Sequence, residues 1–409
     1  MALTATANKK VVEDATRRLR MKDHILHSQS FNRPNLKYFI FKKTSKIIDD
    51  IAQVVCRYSD ESGIVYCLSR NDCEDVSKRL TSHELISSKK IKIDFYHAHR
   101  EPQEKKKAHN EWKMGRTKVI CATVAFGMGI NKIDVRYVIH HSFPKSLTHL
   151  YQESGRAGRD GKPSECIVFF SYSDKYRLQN MITKEKQLSW ERKKFHLENL
   201  NASVSFCANE VECRRVILFS HFGEFFNRSN CELCCDNCKA LASGLYAAVE
   251  SDILEQGRQI VRLVMQLADA GKRITLIQLA MAWRGNTKSS TLKNVIYSHE
   301  HFSEMGKGSK FTKFEAERIM QQMLVMSYLE EELIETGRHG RLKFQVWYVK
   351  IGEKSQDLFS ANASFKFVYR TSRNTDKQTQ GNLDVNTTPM PCAKKKIKKQ
   401  NRTFETKEE

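Results

Sequence analysis

The chain has 409 residues, a length for about two to four domains, and carries 69 Lys/Arg against 47 Asp/Glu for a formal charge of +22. No run of about 18 apolar residues occurs, so no transmembrane helix is expected. The opening MALTATANKK lacks a cationic region followed by an apolar core, so no secretory signal is expected either. Twelve cysteines are too sparse for a disulfide scaffold and point to a reducing compartment and a metal site. The excess of positive charge points to an anionic polymer as partner, nucleic acid before others.

In chain order, residues 1–26 have helical character around VVEDATRRLRM, and FNRPNL at 31–36 reads as a linker because Pro34 biases Arg33 away from helix. Short apolar, β-branched runs then alternate with amphipathic ones. Strands are expected at 36–41, 62–68, 91–96, 118–122, 135–140 and 165–170, with helices between them that include 46–58, 71–83 and 101–113. This alternation predicts a parallel sheet covered by helices on both faces, one α/β domain over roughly 31–175. From 174 to 226 the chain reads as helices, and 231–238 is a dense cysteine cluster. Between 251 and about 370, the helical patterns ILEQGRQIVRLVMQLADAG and FTKFEAERIMQQMLVMSYL precede two strands around TGRHGR, the order of a winged helix. From 371 onward there is little to bury, and disorder is expected. Residues 366–409 hold eleven Lys/Arg and five Asp/Glu, so +6 of the charge is there and +16 on the rest.

Two segments of the α/β domain carry chemistry. VICATVAFGMGIN at 119–131 follows a strand, which puts Thr123 and bare glycine backbone at the carboxyl edge of the sheet, where open α/β sheets bind ligands. QESGRAGRDG at 152–161 holds Arg156 and Arg159 three residues apart, and on a helical turn they would share a face. Small residues between them let another surface approach. Two permanently charged forks suit phosphate, and phosphoryl transfer uses such arginines to neutralise developing charge.

ALTATAN, IVYCLSRND, CATVAFGMGINK and QESGRAGRDG stand in the order of motifs III, IV, V and VI and resemble the second half of a superfamily 2 helicase core, specifically that of the RecQ family. SGIVYCLSR, FNRPNLKY, YQESGRAGRDG and GKGSKFTKFEAER bring the resemblance closest to the Bloom syndrome helicase type. The resemblance implies an α/β RecA-like domain followed by an α-helical zinc-binding subdomain and a winged-helix domain. The implied division is a remnant of a first lobe at 1–30, a second RecA-like lobe at 31–175, the zinc subdomain at 176–243, the winged-helix domain at 244–370 and a basic tail at 371–409. The implied activity is that of an ATP-dependent 3′–5′ DNA helicase acting on duplex or branched DNA in recombination and repair. Arg159 matches the arginine finger that reaches the ATP γ-phosphate, with Gln152 and Arg156 as companions and Gly129 and Asn131 near the nucleotide. Ser69, Arg70, His97 and Thr123 match positions that hold the tracking strand. Three departures are visible: YHAH stands where YHAG is usual, Asn131 where Asp is usual, and Ile133 where Pro is usual.

Cys213, Cys231, Cys235 and Cys238 read C-x17-C-x3-C-x2-C, a set that binds one structural Zn²⁺ tetrahedrally. Cys234 is the alternative to Cys235; C-D-N-C and the resemblance favour Cys235. Cys56, Cys67, Cys121 and Cys166 fall on apolar runs and are expected in the core. In the winged-helix candidate, Lys307 and Ser309 lie in GKGSK ahead of the helix expected at 313–326, a pattern for seating phosphate on backbone N–H groups. Arg338, His339 and Arg341 would sit at the hairpin tip, which in this family is thought to pry apart base pairs at a duplex junction. Tyr328, Trp347 and Tyr348 are expected in the core. KKKIKK at 394–399 reads as a nuclear import signal, which gives a nuclear location.

No G-x-x-x-x-G-K-[ST] and no D-E-x-H box occurs, so the chain alone is expected not to hydrolyse ATP; ATP and Mg²⁺ enter only if a first lobe is supplied. Met1 falls inside what resembles motif III, and an incomplete chain, from a gene model begun at an internal Met or a split gene, is expected. Expected partners are single-stranded, forked or branched DNA and repair and recombination proteins, with no membrane. The competing expectation is a non-catalytic binder of structured DNA that uses only the zinc and winged-helix modules.

Overall fold

The structure, a computed structural model, describes residues 9–22, 25–27, 29–127, 130–286, 292, 295–296, 302–336 and 344–372. An isolated helix α1 (Lys9–Arg18) precedes the sheet domain, which runs β1 (Leu36–Lys42), α2 (Ile47–Arg57), β2 (Ser62–Tyr66), α3 (Arg70–Thr81), α4 (Glu84–Ser88), β3 (Ile93–Tyr96), α5 (Pro102–Lys113), β4 (Val119–Ala122), β5 (Val135–His140), α6 (Leu147–Ser154) and β6 (Ser164–Phe170). A helical stretch follows: α7 (Tyr172–Lys184), α8 (Trp190–Ala208), α9 (Arg214–His221) and α10 (Asp236–Ala242). The last unit contains β7 (Tyr246–Asp252), α11 (Leu254–Asp269), α12 (Leu276–Trp283), α13 (Lys313–Val325), β8 (Leu329–Thr336), β9 (Phe344–Ile351) and β10 (Lys366–Ser372).

The sheet has the order β1-β6-β5-β2-β4-β3 with every pair parallel. β2, β4 and β5 are buried along their whole lengths, which is why β2 and β4 read as near-continuous apolar runs rather than alternating ones; β5 also buries Arg136, paired with Asp160, and His140. One face packs Ile51, Val55, Val65, Val76 and Leu80. The other packs Ile64, Ile120, Val138 and Leu150 in a core that continues through Leu200, Phe206 and Phe219 to the clustered cysteines. Each such apolar side chain contributes about 1.5–3 kcal/mol by leaving water. The strand expected at 62–68 stops at Tyr66 because Ser69 turns the chain into α3. Its hydroxyl accepts from the Asp72 N–H (3.2 Å) while the Asp72 carboxylate accepts from the Ser69 N–H (3.0 Å), a reciprocal cap.

The segment expected to be a linker is packed and clamped. Phe31 stacks on Phe222 (ring centres 4.5 Å) and meets Tyr151 edge-on. Arg215, 1% exposed, donates to Asn32 Oδ1 (3.0 Å) and to the carbonyls of Pro34 (3.0 Å) and Leu36 (2.8 Å). Pro34 does keep this stretch out of helix, and the arginine then fixes its exposed carbonyls in place.

The last unit has its own core, including Ile260, Leu263, Leu279, Trp283, Ile319 and Met323. β8 and β9 form an antiparallel ribbon from Leu329↔Ile351 to Thr336↔Phe344, and β7 pairs antiparallel with β10. β10 continues to Ser372, two residues into the stretch expected as tail. Polar bonds dock this unit on the helices before it. Lys175 Nζ lies 2.8 Å from Glu331 Oε2 with both side chains buried, Gln179 Nε2 donates to the same carboxylate (2.7 Å), and Trp347 Nε1 donates to Asn180 Oδ1 (3.1 Å). Tyr328 and Trp347 are buried as expected, whereas Tyr348 is only partly so. Cys67, Cys121 and Cys166 are in the core, but Cys56 is only half-buried. No helix among the described residues is long and apolar enough to cross a membrane.

Candidate functional site

Arg156 and Arg159 do not share a helix face, as the sequence suggested. α6 ends at Ser154, and both arginines sit on the turns that follow it. The loop after β4 brings them together. Arg156 Nη1 donates to Gly127 O (2.6 Å) and Arg159 Nη1 to Ile130 O (2.8 Å). A Cβ on Gly127 would stand 2.5 Å from Arg156 Nη2, so glycine is what lets the guanidinium reach that loop. Gly158 turns the chain between the two arginines at φ +56°, and a Cβ there would meet Asn35 Nδ2 at 2.4 Å.

A third guanidinium was missed in the sequence. Arg33 donates to the carbonyls of Gly155 (3.0 Å) and Gly158 (2.6 Å), gripping the arginine-bearing turn from the sheet's edge. Among the described residues none of Arg33, Arg156 and Arg159 pairs with a carboxylate, and the buried Nε of Arg156 has no hydrogen-bond partner. Burial, then repulsion from Arg156 and Arg33, lowers the Arg159 pKa. Three like charges held on neutral carbonyls form a field that an incoming anion relieves.

Tyr66 was also missed. Its hydroxyl donates to Phe126 O (3.0 Å) and its ring stacks on His140 (5.6 Å), which in turn bonds Glu153 through Nε2 (2.8 Å) in nearly full burial. This chain of contacts ties the carboxyl ends of β2 and β5 to the loop after β4 and to α6. Gln152 is exposed on α6, and Asn131 is exposed beyond Ile130; Gly129 lies outside the described residues.

Ser69, Thr123 and His97 follow β2, β4 and β3, three adjacent strands, so they stand in a row along the carboxyl edge. Their availability differs. Arg70 is exposed and has no ion pair among the described residues, and Thr123 is partly exposed. The Ser69 hydroxyl already caps α3 and accepts from Arg177 Nη2 (3.0 Å). His97 is 5% exposed, bonded to Glu74 (2.9 Å) and stacked on Phe95. Its ring braces β3 against α3 through Nε2, while its buried Nδ1 has no partner among the described residues.

The four cysteines come together as the spacing predicts. The sulfurs of Cys213, Cys231, Cys235 and Cys238 lie within 4.8 Å of one another, all buried. A Zn–S bond of about 2.3 Å puts tetrahedral sulfurs about 3.8 Å apart, and Cys213 and Cys235 stand at 4.0 Å. The residues present fit a tetrahedral zinc. Cys234 is not in the set; its sulfur faces Pro34 O (3.8 Å). Glu232 and Leu233 both take left-handed backbone (φ 49° and 57°), which costs on the order of 1–3 kcal/mol each without glycine. Ligation supplies a reason for that turn to persist. The knuckle extends the sheet edge: Tyr38 N–H donates to Cys234 O (3.1 Å), and Asp236 accepts from Ile40 N–H (2.9 Å) and from Arg214 (2.8 and 3.0 Å).

The phosphate seat expected at GKGSK is not assembled. α13 begins beyond it, capped by Thr312, whose hydroxyl accepts from Glu315 N–H (3.2 Å) while the Glu315 carboxylate accepts from Thr312 N–H (2.7 Å). The N–H of Gly308 is spent on Trp283 O (2.8 Å) and that of Ser309 on Gly306 O (3.0 Å), and Lys307 pairs with the buried Glu304 (2.9 Å). Arg338, His339 and Arg341 lie outside the described residues, as does the 394–399 lysine run.

Residues 43–161 match the helicase conserved C-terminal domain, 172–239 the RecQ zinc-binding family and 248–376 the RQC domain. Over 97% of its length the chain is 36% identical to the ATP-dependent helicase SGS1 of Saccharomyces cerevisiae, covering 26% of that protein. It is 35% identical over 96% to the ATP-dependent DNA helicase Q-like 4B of Arabidopsis thaliana, covering 34%, and 35% identical over 95% to the RecQ-like DNA helicase BLM of Xenopus laevis, covering 28%. The chain therefore spans about a quarter to a third of these relatives. Three family matches in consecutive order, on a parallel-sheet lobe, a four-cysteine knuckle and a helix-and-hairpin unit, make this chain a RecQ-family helicase C-terminal region.

Proposed function

We propose that the chain supplies the second motor lobe, the zinc module and the winged-helix module of an ATP-dependent 3′–5′ DNA helicase of the Bloom syndrome type, acting in the nucleus on duplex or branched DNA during recombination and repair. The observation that carries this reading is the trio Arg33, Arg156 and Arg159, clamped on loop carbonyls and free of carboxylate partners among the described residues. In this reading Arg159 meets the γ-phosphate, Arg156 ties the glycine loop to that turn, and Gln152, Asn131 and Gly129 complete the nucleotide edge. Arg70 and Thr123, with Ser69, face the tracking strand. Zn²⁺ bound by Cys213, Cys231, Cys235 and Cys238 would hold α9, the knuckle and α10 to the sheet edge. Arg338, His339 and Arg341 of the hairpin, and Lys307 and Ser309 of GKGSK, are assigned to DNA contact. Similarity to SGS1 and BLM supports the type.

No phosphate-cradling loop or DExH carboxylate occurs in the 409 residues. The purified chain should therefore bind forked DNA without ATP and show no DNA-stimulated hydrolysis. Turnover that disappears in Arg159→Ala would reveal a complete nucleotide site and overturn the reading.

A further inference from the structure

A concavity of about 510 Å³ lies where the three modules meet, outside the arginine cluster. Phe39 and Phe41 of the edge strand β1, Phe314 at the start of α13 and Tyr246 of β7 give it aromatic walls. Its volume falls in the range of small-molecule sites, about 300–1,000 Å³.

The charges around it do not balance. Each lining carboxylate has a partner: Glu165 with Arg57 (3.2 Å), Asp236 with Arg214 (2.8 Å) and Glu210 with Arg318 (2.6 Å). Lys42, Lys239 and Arg370 also line it, and among the described residues none of them has a carboxylate within 4.0 Å, the Glu317 charge acting on Lys42 from further off. Two of these cations lie on rings of the same walls. Lys239 Nζ is 4.7 Å from the Phe39 ring centre, and the Arg370 guanidinium is 4.5 Å from that of Tyr246. A cation held on one ring still has its other side to offer. Aromatic surface beside three unpaired cations fits a planar ring that carries an anionic group.

We propose that this junction binds an aromatic heterocycle bearing a phosphate, of mononucleotide size. The ring lies against Phe41 and Phe314, and the phosphate meets Lys42, Lys239 and Arg370. Because the walls come from all three modules, such a ligand favours the docked arrangement and stabilises it by mass action. One rival occupant belongs to the chain itself. β10 ends at Ser372, paired with Tyr246 of the cavity wall, and 373–409 follow it in sequence. That segment holds nine Lys/Arg and five Asp/Glu, the wrong sign for a cationic lining.

The test is calorimetric titration of the full chain with deoxyadenosine 5′-monophosphate, deoxyadenosine and inorganic phosphate. The proposal expects the monophosphate to bind, and each half to bind at least about tenfold more weakly. Lys42→Ala, at an exposed position, and Arg370→Ala should each weaken the monophosphate at least about tenfold with zinc content unchanged, while Arg159→Ala should leave it unaffected. Loss of binding in Arg159→Ala with retention in Lys42→Ala and Arg370→Ala would place the nucleotide at the arginine cluster and overturn the proposal. Phosphate binding as well as the monophosphate, no binding by any probe, or binding that appears only after truncation at Ser372 would overturn it too.

Discussion

The buried pair between Lys175 and Glu331 gives a sharp prediction about how the hairpin unit is held. The Lys175 ammonium, 1% exposed, meets Glu331 Oε2 at 2.8 Å and Gln321 Oε1 at 3.1 Å. Lys175→Met leaves the Glu331 carboxylate in the interface with Gln179 as its remaining donor (2.7 Å). Removing one partner of such a pair costs about 3–5 kcal/mol, because an uncompensated charge stays buried. Replacing both, as in Lys175→Met with Glu331→Leu, leaves no charge to desolvate, and the residual cost is the unpaired amides of Gln179 and Gln321, about 1–3 kcal/mol each. The two single losses should therefore sum to more than the double loss, with a coupling of about 4 kcal/mol from these ranges. Trp283 and Trp347 are buried in the hairpin unit and report its urea transition by fluorescence. Single variants that each lose under about 1 kcal/mol, or a double variant additive within about 0.5 kcal/mol, would show that the pair does not set the docking.

Cys238→Ser should lose zinc and stability together, since structural zinc supplies on the order of 10 kcal/mol; elemental analysis of folded protein checks this, and intact zinc content would refute it. His141 is held down to about 4, first by burial and then by the nearby Lys43. Its folded pKa lies below the unfolded value near 6.5, so its contribution is full above about pH 6.5 and is lost as pH falls toward about 4, at up to about 1.4 kcal/mol per pH unit; His141→Gln should flatten that slope in urea melts. Duplex binding should weaken linearly with log salt, at about −0.9 per phosphate contact. Lys307→Ala should lower thermal stability, read as a lower melting temperature, because it strands the buried Glu304 carboxylate.

How much of this was legible depends on the range of the interaction. β5 was read residue for residue from its apolar centre at 137–139, although the strand also buries Arg136 and His140. The zinc set was legible because four thiols at fixed spacing have few alternative uses. The clamps were not. Arg33 reaches carbonyls more than 120 residues away in sequence, and Arg215 reaches back about 180 residues to hold the segment before β1. The one local sign was an arginine before a proline in FNRPN. His97 and GKGSK were hard to read for another reason. Glu74 takes His97 Nε2 and leaves only the buried Nδ1 unpartnered, and the Trp283 and Gly306 carbonyls take the N–H groups of Gly308 and Ser309. A sequence pattern names a donor without showing who already accepts from it.

The central claim is that Arg159 completes a nucleotide site shared with a first lobe. The most direct measurement is DNA-stimulated ATP hydrolysis by this chain fused to the first lobe of the Saccharomyces cerevisiae relative, with and without Arg159→Ala. An arginine finger is worth about 10³–10⁵ in turnover. The account predicts a loss of at least about 10³ in kcat with forked-DNA affinity unchanged; an Arg159→Ala fusion that hydrolyses ATP at the parental rate would contradict it.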